Sequence, residues 1–333
     1  MRSRFFFCAL LAILAIGASL NSGQARQPVR QQLLSQQEAA DPAAAKVLSA
    51  RLQKAMGRVG YPTVTTDDVP LVRSFYRTAF SKQHCQAKWV MWALTPSMLS
   101  VNGKRSPFTT DHDLEQPEWR VEKWDYEKSG FSRGHMMPAA DCRFAEKASL
   151  ECALMSNICP QTAKLNNGAW NALEIRCREW CRIEDTLFIV CGPIYNSDTP
   201  QKIGISHLLD VPDSFFKIVL STRKGHEKML GFVMANNEYP AKMREAVCSV
   251  ASIEQETGIV FFPNLPKEVK ERLDQSADYW EWKTPKQLER NYSSKYYGGG
   301  NRYQQKPAAG KQTAPKSSKG RKRNYYYKKP SDL

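Results

Sequence analysis

Arg133, Gly134 and His135 stand side by side in the stretch FSRGHMMPAADC. An imidazole that stays neutral can take a proton from water near neutral pH, and a neighbouring guanidinium raises the cost of its charged form. The guanidinium also offers a planar fork to phosphate oxygens. Glycine between them allows a close backbone approach that a side chain would block. The tripeptide predicts a neutral, basic histidine beside a bound phosphate.

A second cluster lies downstream. The segment SNICPQTAKLNNGAWNALEIRCR begins with Asn157 and reaches Asn166 at the start of a predicted helix, with Glu174 eight residues on and Arg178 four beyond that. A helical step of eight turns a side chain by about 80°, so Asn166 and Glu174 are expected on one broad face. Glu174 and Arg178 are then direct neighbours. An amide oxygen with waters suits a hard Mg²⁺ ion, and a carboxylate can hold one of those waters. The plain alternative is that Asn166 caps the helix while Glu174 and Arg178 form a surface ion pair.

The stretches SRGHMMPAAD, MSNICPQTAKLNNGAWNALE and FIVCGPIY together resemble the DNA/RNA non-specific endonuclease family, whose active site is a ββα-metal motif. VPDSFFKIVL and GIVFFPNLP are similar to its later strands and closing region, so the likeness runs from about Tyr61 to Leu273. The resemblance implies an α+β fold, a mixed or antiparallel sheet flanked by helices, and hydrolysis of DNA and RNA phosphodiesters leaving 5′-phosphate ends. It implies His135 as general base and Asn166 as the direct ligand of Mg²⁺, for which Mn²⁺ can substitute. Glu174 would hold metal-bound water. Arg133 and Arg178 would steady the phosphate, Asn157 would support the site, and Arg105 in GKRSPF would match an upstream arginine. Ser132 stands where members commonly carry Asp, which predicts tuning rather than loss of activity. A site built on one phosphate and one metal reads the backbone and not the bases, so weak sequence preference is expected.

These residues need a frame. From Tyr61 the chain shows short apolar runs bounded by turn residues: LVRSFYRTAF, AKWVMWALT, TLFIVCGPIY, FFKIVLST and KMLGFVMAN. They read as strands of a mixed or antiparallel sheet. KLNNGAWNALEIRCREWCRI reads as one helix from its apolar spacing, and SIEQETG as a second, stopped at Gly258. The expected organisation is a signal peptide over 1–25, a helical or disordered leader over 26–60, a nuclease domain over 61–290 and a basic low-complexity tail over 291–333.

The N-terminal part points to export. Arg2 and Arg4 precede a short apolar run, and small residues lead to a cleavage site after Ala25. No stable membrane span is expected after cleavage, and periplasmic, cell-surface and secreted destinations all fit. Eight cysteines then remain, an even number that predicts disulfides in an exported chain. No Cys-x-x-Cys pair supports a zinc site.

Most of the +15 formal charge sits in the tail, where twelve Lys and Arg face one acid from Arg290 onward. Lys322 and Arg323, in KGRKRNYYYKK, are the expected nucleic-acid contacts there, by charge and tyrosine stacking. A solvated tail or one that adheres to an anionic surface is the alternative. DNA and RNA are the expected partners, and a homodimer stays open. The rival function is a non-catalytic nucleic-acid-binding surface or matrix protein on the same fold. Intact His135, Asn166 and Glu174 favour the enzyme. A cysteine-dependent hydrolase fails, because only His84–Cys85 sets a histidine against a cysteine in sequence.

Overall fold

The computed structural model describes residues 42–100 and 102–288. The expected signal peptide, the first part of the expected leader and the basic tail with Lys322 and Arg323 lie outside the described residues.

Eleven strands form among the described residues. They are β1 Asp68–Val72, β2 Tyr76–Ser81, β3 Gln86–Leu94, β4 Ser132–His135, β5 Ile158–Gln161, β6 Leu187–Ile194, β7 Lys202–Ile203, β8 Leu209–Asp210, β9 Ser214–Ser221, β10 Lys228–Ala235 and β11 Val247–Cys248. Seven of them build one sheet in the order β1-β2-β3-β6-β9-β10-β11, antiparallel at every pairing. Of the two sheet types expected from sequence, the antiparallel one forms. β6 and β9 are buried along their whole length, which is why they read as unbroken apolar runs and not as alternating ones.

The run LVRSFYRTAF becomes two strands. Arg73 turns the chain, its N–H donating to Tyr76 O at 3.0 Å, and its guanidinium pairs with Asp111 and Asp113. Five α-helices form among the described residues: α1 Pro42–Val59, α2 Glu146–Cys152, α3 Asn171–Glu184, α4 Val250–Thr257 and α5 Lys267–Asp274. The amphipathic α1 packs on β3 and buries Leu52, Met56 and Val59.

β4 and β5 pair with each other outside the large sheet, and α3 follows them, giving a β-β-α unit. The single helix expected over KLNNGAWNALEIRCREWCRI is broken. Leu165–Trp170 is a wide, π-type turn in which Gly168 leaves helical geometry at φ −103°, ψ −106°, and the regular α3 starts only at Asn171. A wide turn of this kind is a common mark of a functional segment. Asn166 and Glu174 are therefore not related by a regular helical step of eight.

All eight described cysteines are free thiols, against the expectation of disulfides. Cys142, Cys152, Cys159, Cys177, Cys181 and Cys191 are buried, and all six join the main apolar core, where they pack as small hydrophobic side chains.

Candidate active site

His135 ends β4, where it pairs with Ile158 across the ladder. Gly134 is the residue whose size matters. A Cβ there would lie 2.2 Å from Gln161 Oε1 and 2.4 Å from its Cδ. The space that glycine leaves is filled by the Gln161 side chain, so its first role is to let β4 and β5 close.

The backbone leaving His135 is pinned by Asn157, which is fully buried. Its Oδ1 accepts from Met137 N at 3.0 Å, while Nδ2 donates to Met137 O at 3.1 Å and to Cys152 O at 2.8 Å. Met136 N donates to Asn157 O at 2.9 Å. Asn157 therefore acts by fixing where His135 stands, a role that its sequence context left unspecified.

Burial drives the His135 imidazole down to about 3, and the Arg105 guanidinium adds to the shift. A neutral ring follows, as expected, but the sequence assigned the wrong arginine. Arg133 turns aside, with Nη1 donating to Lys123 O at 3.2 Å. The three groups meet on Phe108. Arg133 lies 4.9 Å and Arg105 5.3 Å from its ring centre, and the His135 ring is 5.2 Å away. Phe108 was quoted in the sequence only as the end of GKRSPF, and nothing in its type marked it as the shared platform.

Arg105, Phe108 and Arg133 line a cleft of about 290 Å³ together with Tyr126, Phe131 and Asn166, among others, and His135 lies against its Phe108 wall. Two arginines at its wall suit an anionic ligand, and aromatic rings suit the faces of bases or sugars.

Arg178 does not pair with Glu174. Its Nη1 donates to Asp141 Oδ1 at 2.9 Å, and Asp141 also accepts from Trp92 Nε1 at 3.2 Å. Burial pushes the Asp141 carboxyl up and Arg178 pulls it back. The surface ion pair weighed above is absent. Asp141 was missed in the sequence, although it lies six residues after His135 in the same stretch.

Behind this pair lies Lys217 on β9, fully buried, with its Nζ 4.2 Å from the Trp170 ring centre and 5.4 Å from that of Trp92. Nζ has no hydrogen-bond partner in the described protein. Burial raises Glu174 to about 7. Lys217 opposes this most, Asp141 adds to it, and Arg178 opposes it.

The donor set fits a hard cation. No hydrogen bond ties the side chains of Asn166 or Glu174 to other described groups, and no cluster of three or more His, Cys, Asp or Glu competes for a metal among the described residues. An amide oxygen, a carboxylate acting through water and further waters match the ligand preference of Mg²⁺. Glu174, poised near neutrality, would be held ionised by such a charge.

A family model described as DNA/RNA non-specific endonuclease matches residues 52–268. The chain is 31% identical over 236 residues to "Nuclease EXOG, mitochondrial" of Danio rerio, covering 65% of this chain and 67% of that protein. It is also 31% identical over 207 residues to "Endonuclease G, mitochondrial" of Homo sapiens, covering 58% and 69%. The crystal structure of an EndoG/EndoGI complex aligns with a TM-score of 0.59 at 24% identity, over 65% of this chain and 93% of that one. This last likeness concerns the fold.

Proposed function

The chain belongs to the DNA/RNA non-specific endonuclease family and is a hydrolase of nucleic acids, and on that premise we propose that it is an exported, Mg²⁺-dependent endonuclease cutting both DNA and RNA. The observation that carries the mechanism is a neutral His135, fixed through Asn157 and set against Phe108, the aromatic wall of a cleft that Arg105 and Arg133 also line. A ring nitrogen of His135 removes a proton from the attacking water as its oxygen bonds to phosphorus. Arg133 and Arg105 bind the non-bridging oxygens, and Arg178, steered by Asp141, meets charge that grows on them in the transition state. Asn166 would hold Mg²⁺ directly and Glu174 through water, and the cation supplies further positive charge beside the phosphate. The P–O3′ bond breaks, the departing 3′-oxygen takes up a proton from water to become a hydroxyl, and the phosphate stays on the 5′ side.

Export rests on the chain's own beginning, with Arg2, Arg4, the apolar run and the small residues before Ala25, although the relatives above carry mitochondrial names. The basic tail would add affinity through its charge.

Supercoiled plasmid and ribosomal RNA incubated with the protein test the reading, each with Mg²⁺, with EDTA and with His135→Ala. Degradation of both substrates with Mg²⁺ alone, lost with EDTA and in the variant, is expected. Intact substrates shifted into complexes in every lane would replace the enzyme by a binder on the same fold.

A further inference from the structure

Lys217 stands in the middle of β9, between Cys191 of β6 and Phe232 of β10. It is fully buried in a strand whose every residue is buried, and its Nζ has no hydrogen-bond partner among the described residues. An ammonium in such a place is costly, and a hydrocarbon side chain would cover the same surface without that cost. What Nζ does meet is two aromatic rings. The Trp170 ring centre lies 4.2 Å away and that of Trp92 5.4 Å away. Both are within reach of a cation–π contact, which is strongest where water is excluded.

Both rings lead to the site. Trp170 closes the wide turn Leu165–Trp170 that carries Asn166. The entry of that turn is held by Thr162, whose O accepts from Asn166 N at 2.9 Å and whose Oγ1 accepts from Leu165 N at 3.2 Å. Inside the turn Gly168 leaves helical geometry, and a Cβ there would meet nothing within 4 Å. The exit rests on Trp170, which is fully buried and whose Nε1 makes no hydrogen bond among the described residues. Its ring packs on Phe215 and Lys217, two residues apart on β9 and so on one face of the sheet. Trp92, the second ring, donates from Nε1 to Asp141, the carboxylate that holds Arg178.

We infer that Lys217 is a positioning residue of the active site: its buried ammonium grips the Trp170 ring, fixes the exit of the wide turn and so sets where Asn166 stands. The inference rests on the reading of Asn166 as the metal ligand. A charge over a ring is directional, whereas apolar burial is not, so this contact fixes the turn in a way that a hydrocarbon at the same position would not. Groups behind a metal ligand that orient it typically carry about 10–100-fold in metal affinity.

Lys217 also favours the ionised form of Glu174, so the test is made without that carboxylate. Mn²⁺ binding to the full chain is measured at pH 8 by paramagnetic resonance of the free ion, with Glu174→Gln as the reference. Adding Lys217→Met, which keeps a long side chain and removes its charge, should weaken affinity about tenfold. Adding Trp170→Leu instead should do the same, and adding both should weaken it no further than either, to within about twofold. Unchanged affinity with Lys217→Met, or losses that multiply when the two are combined, would overturn the inference. Trp170→Phe keeps a ring face and should stay within about threefold of the reference. A loss as large as that of Trp170→Leu would overturn the inference even where Lys217→Met does not fold. If the reference binds too weakly to read, crystal structures of the natural chain and of Lys217→Met decide. A wide turn displaced relative to β9 is expected, and a superimposable turn would overturn the inference. A natural chain that binds no Mn²⁺ would instead remove the metal reading of Asn166, and this inference with it.

Discussion

Arg178 reaches Asp141 across 2.9 Å and leaves Glu174, one helical turn before it, unpaired. Asp141 is the fully buried member of that contact and holds Arg178 from behind. Removing one partner of a buried pair costs about 3–5 kcal/mol, because the other charge stays uncompensated. Asp141→Ala should lower unfolding stability by an amount near the bottom of that range, since Arg178 keeps some contact with water. It should also lower kcat more than it raises KM, because Arg178 is released from the position in which it is proposed to meet transition-state charge. Denaturant unfolding together with steady-state cleavage of a defined oligonucleotide checks both parts. A large KM change at unchanged kcat would place Arg178 in ground-state binding instead.

Phe108 carries both cleft arginines on its ring. Each such contact is worth about 0.5–1 kcal/mol at a partly exposed site. Phe108→Ala frees two long side chains, so KM should rise about fivefold while kcat changes less, if both contacts act by orienting arginine toward phosphate. Phe108→Leu, which keeps bulk without the π face, should behave like the alanine variant. Normal KM in the leucine variant would show that packing and not the ring face matters.

How far the sequence carried depends on what each residue does. The strands were legible because central strands leave long apolar runs, and His135, Asn157 and Asn166 because they lie in local motifs. What stayed hidden is contact between segments. Arg133 adjoins His135 in the chain, yet the guanidinium acting on the imidazole comes from Arg105, in a different loop. Arg178 is spaced for Glu174 but finds Asp141. Lys217 reads as an ordinary strand lysine in DSFFKIVL, and only the folded sheet puts it under Trp170. The break at Gly168 was also missed, since a helical apolar spacing on both sides of a wide turn looks like one continuous helix.

The steric role of Gly134 gives a paired test. Alanine there forces its Cβ onto the Gln161 side chain, and overpacking of this kind costs about 1–3 kcal/mol. Neither polar atom of that side chain has a hydrogen-bond partner among the described residues, so shortening it breaks no such bond. Gly134→Ala should therefore destabilise the protein, and adding Gln161→Ala should restore most of the loss, to within about 1 kcal/mol. Thermal unfolding of the single and double variants reads the coupling directly. A strictly additive double variant would mean that the glycine is needed for its backbone freedom instead.

Glu174, raised to about 7 by burial, ties metal binding to pH. In the metal-free fold the carboxyl keeps its proton up to about that pH, whereas in the unfolded chain it loses the proton near 4.3. Its contribution to stability is thus lost as pH rises between those two values and is constant above the folded one. A cation that needs the carboxylate must displace the proton. Mn²⁺ affinity, measured by paramagnetic resonance of the free ion, should rise up to about tenfold per pH unit below 7 and level off above it. Glu174→Gln should flatten that dependence and weaken binding at pH 8. Lys217 is the strongest group opposing the shift, so Lys217→Met should move the levelling point to higher pH. A Mn²⁺ affinity in the natural chain that does not change between pH 5.5 and 8 would remove Glu174 from the metal site.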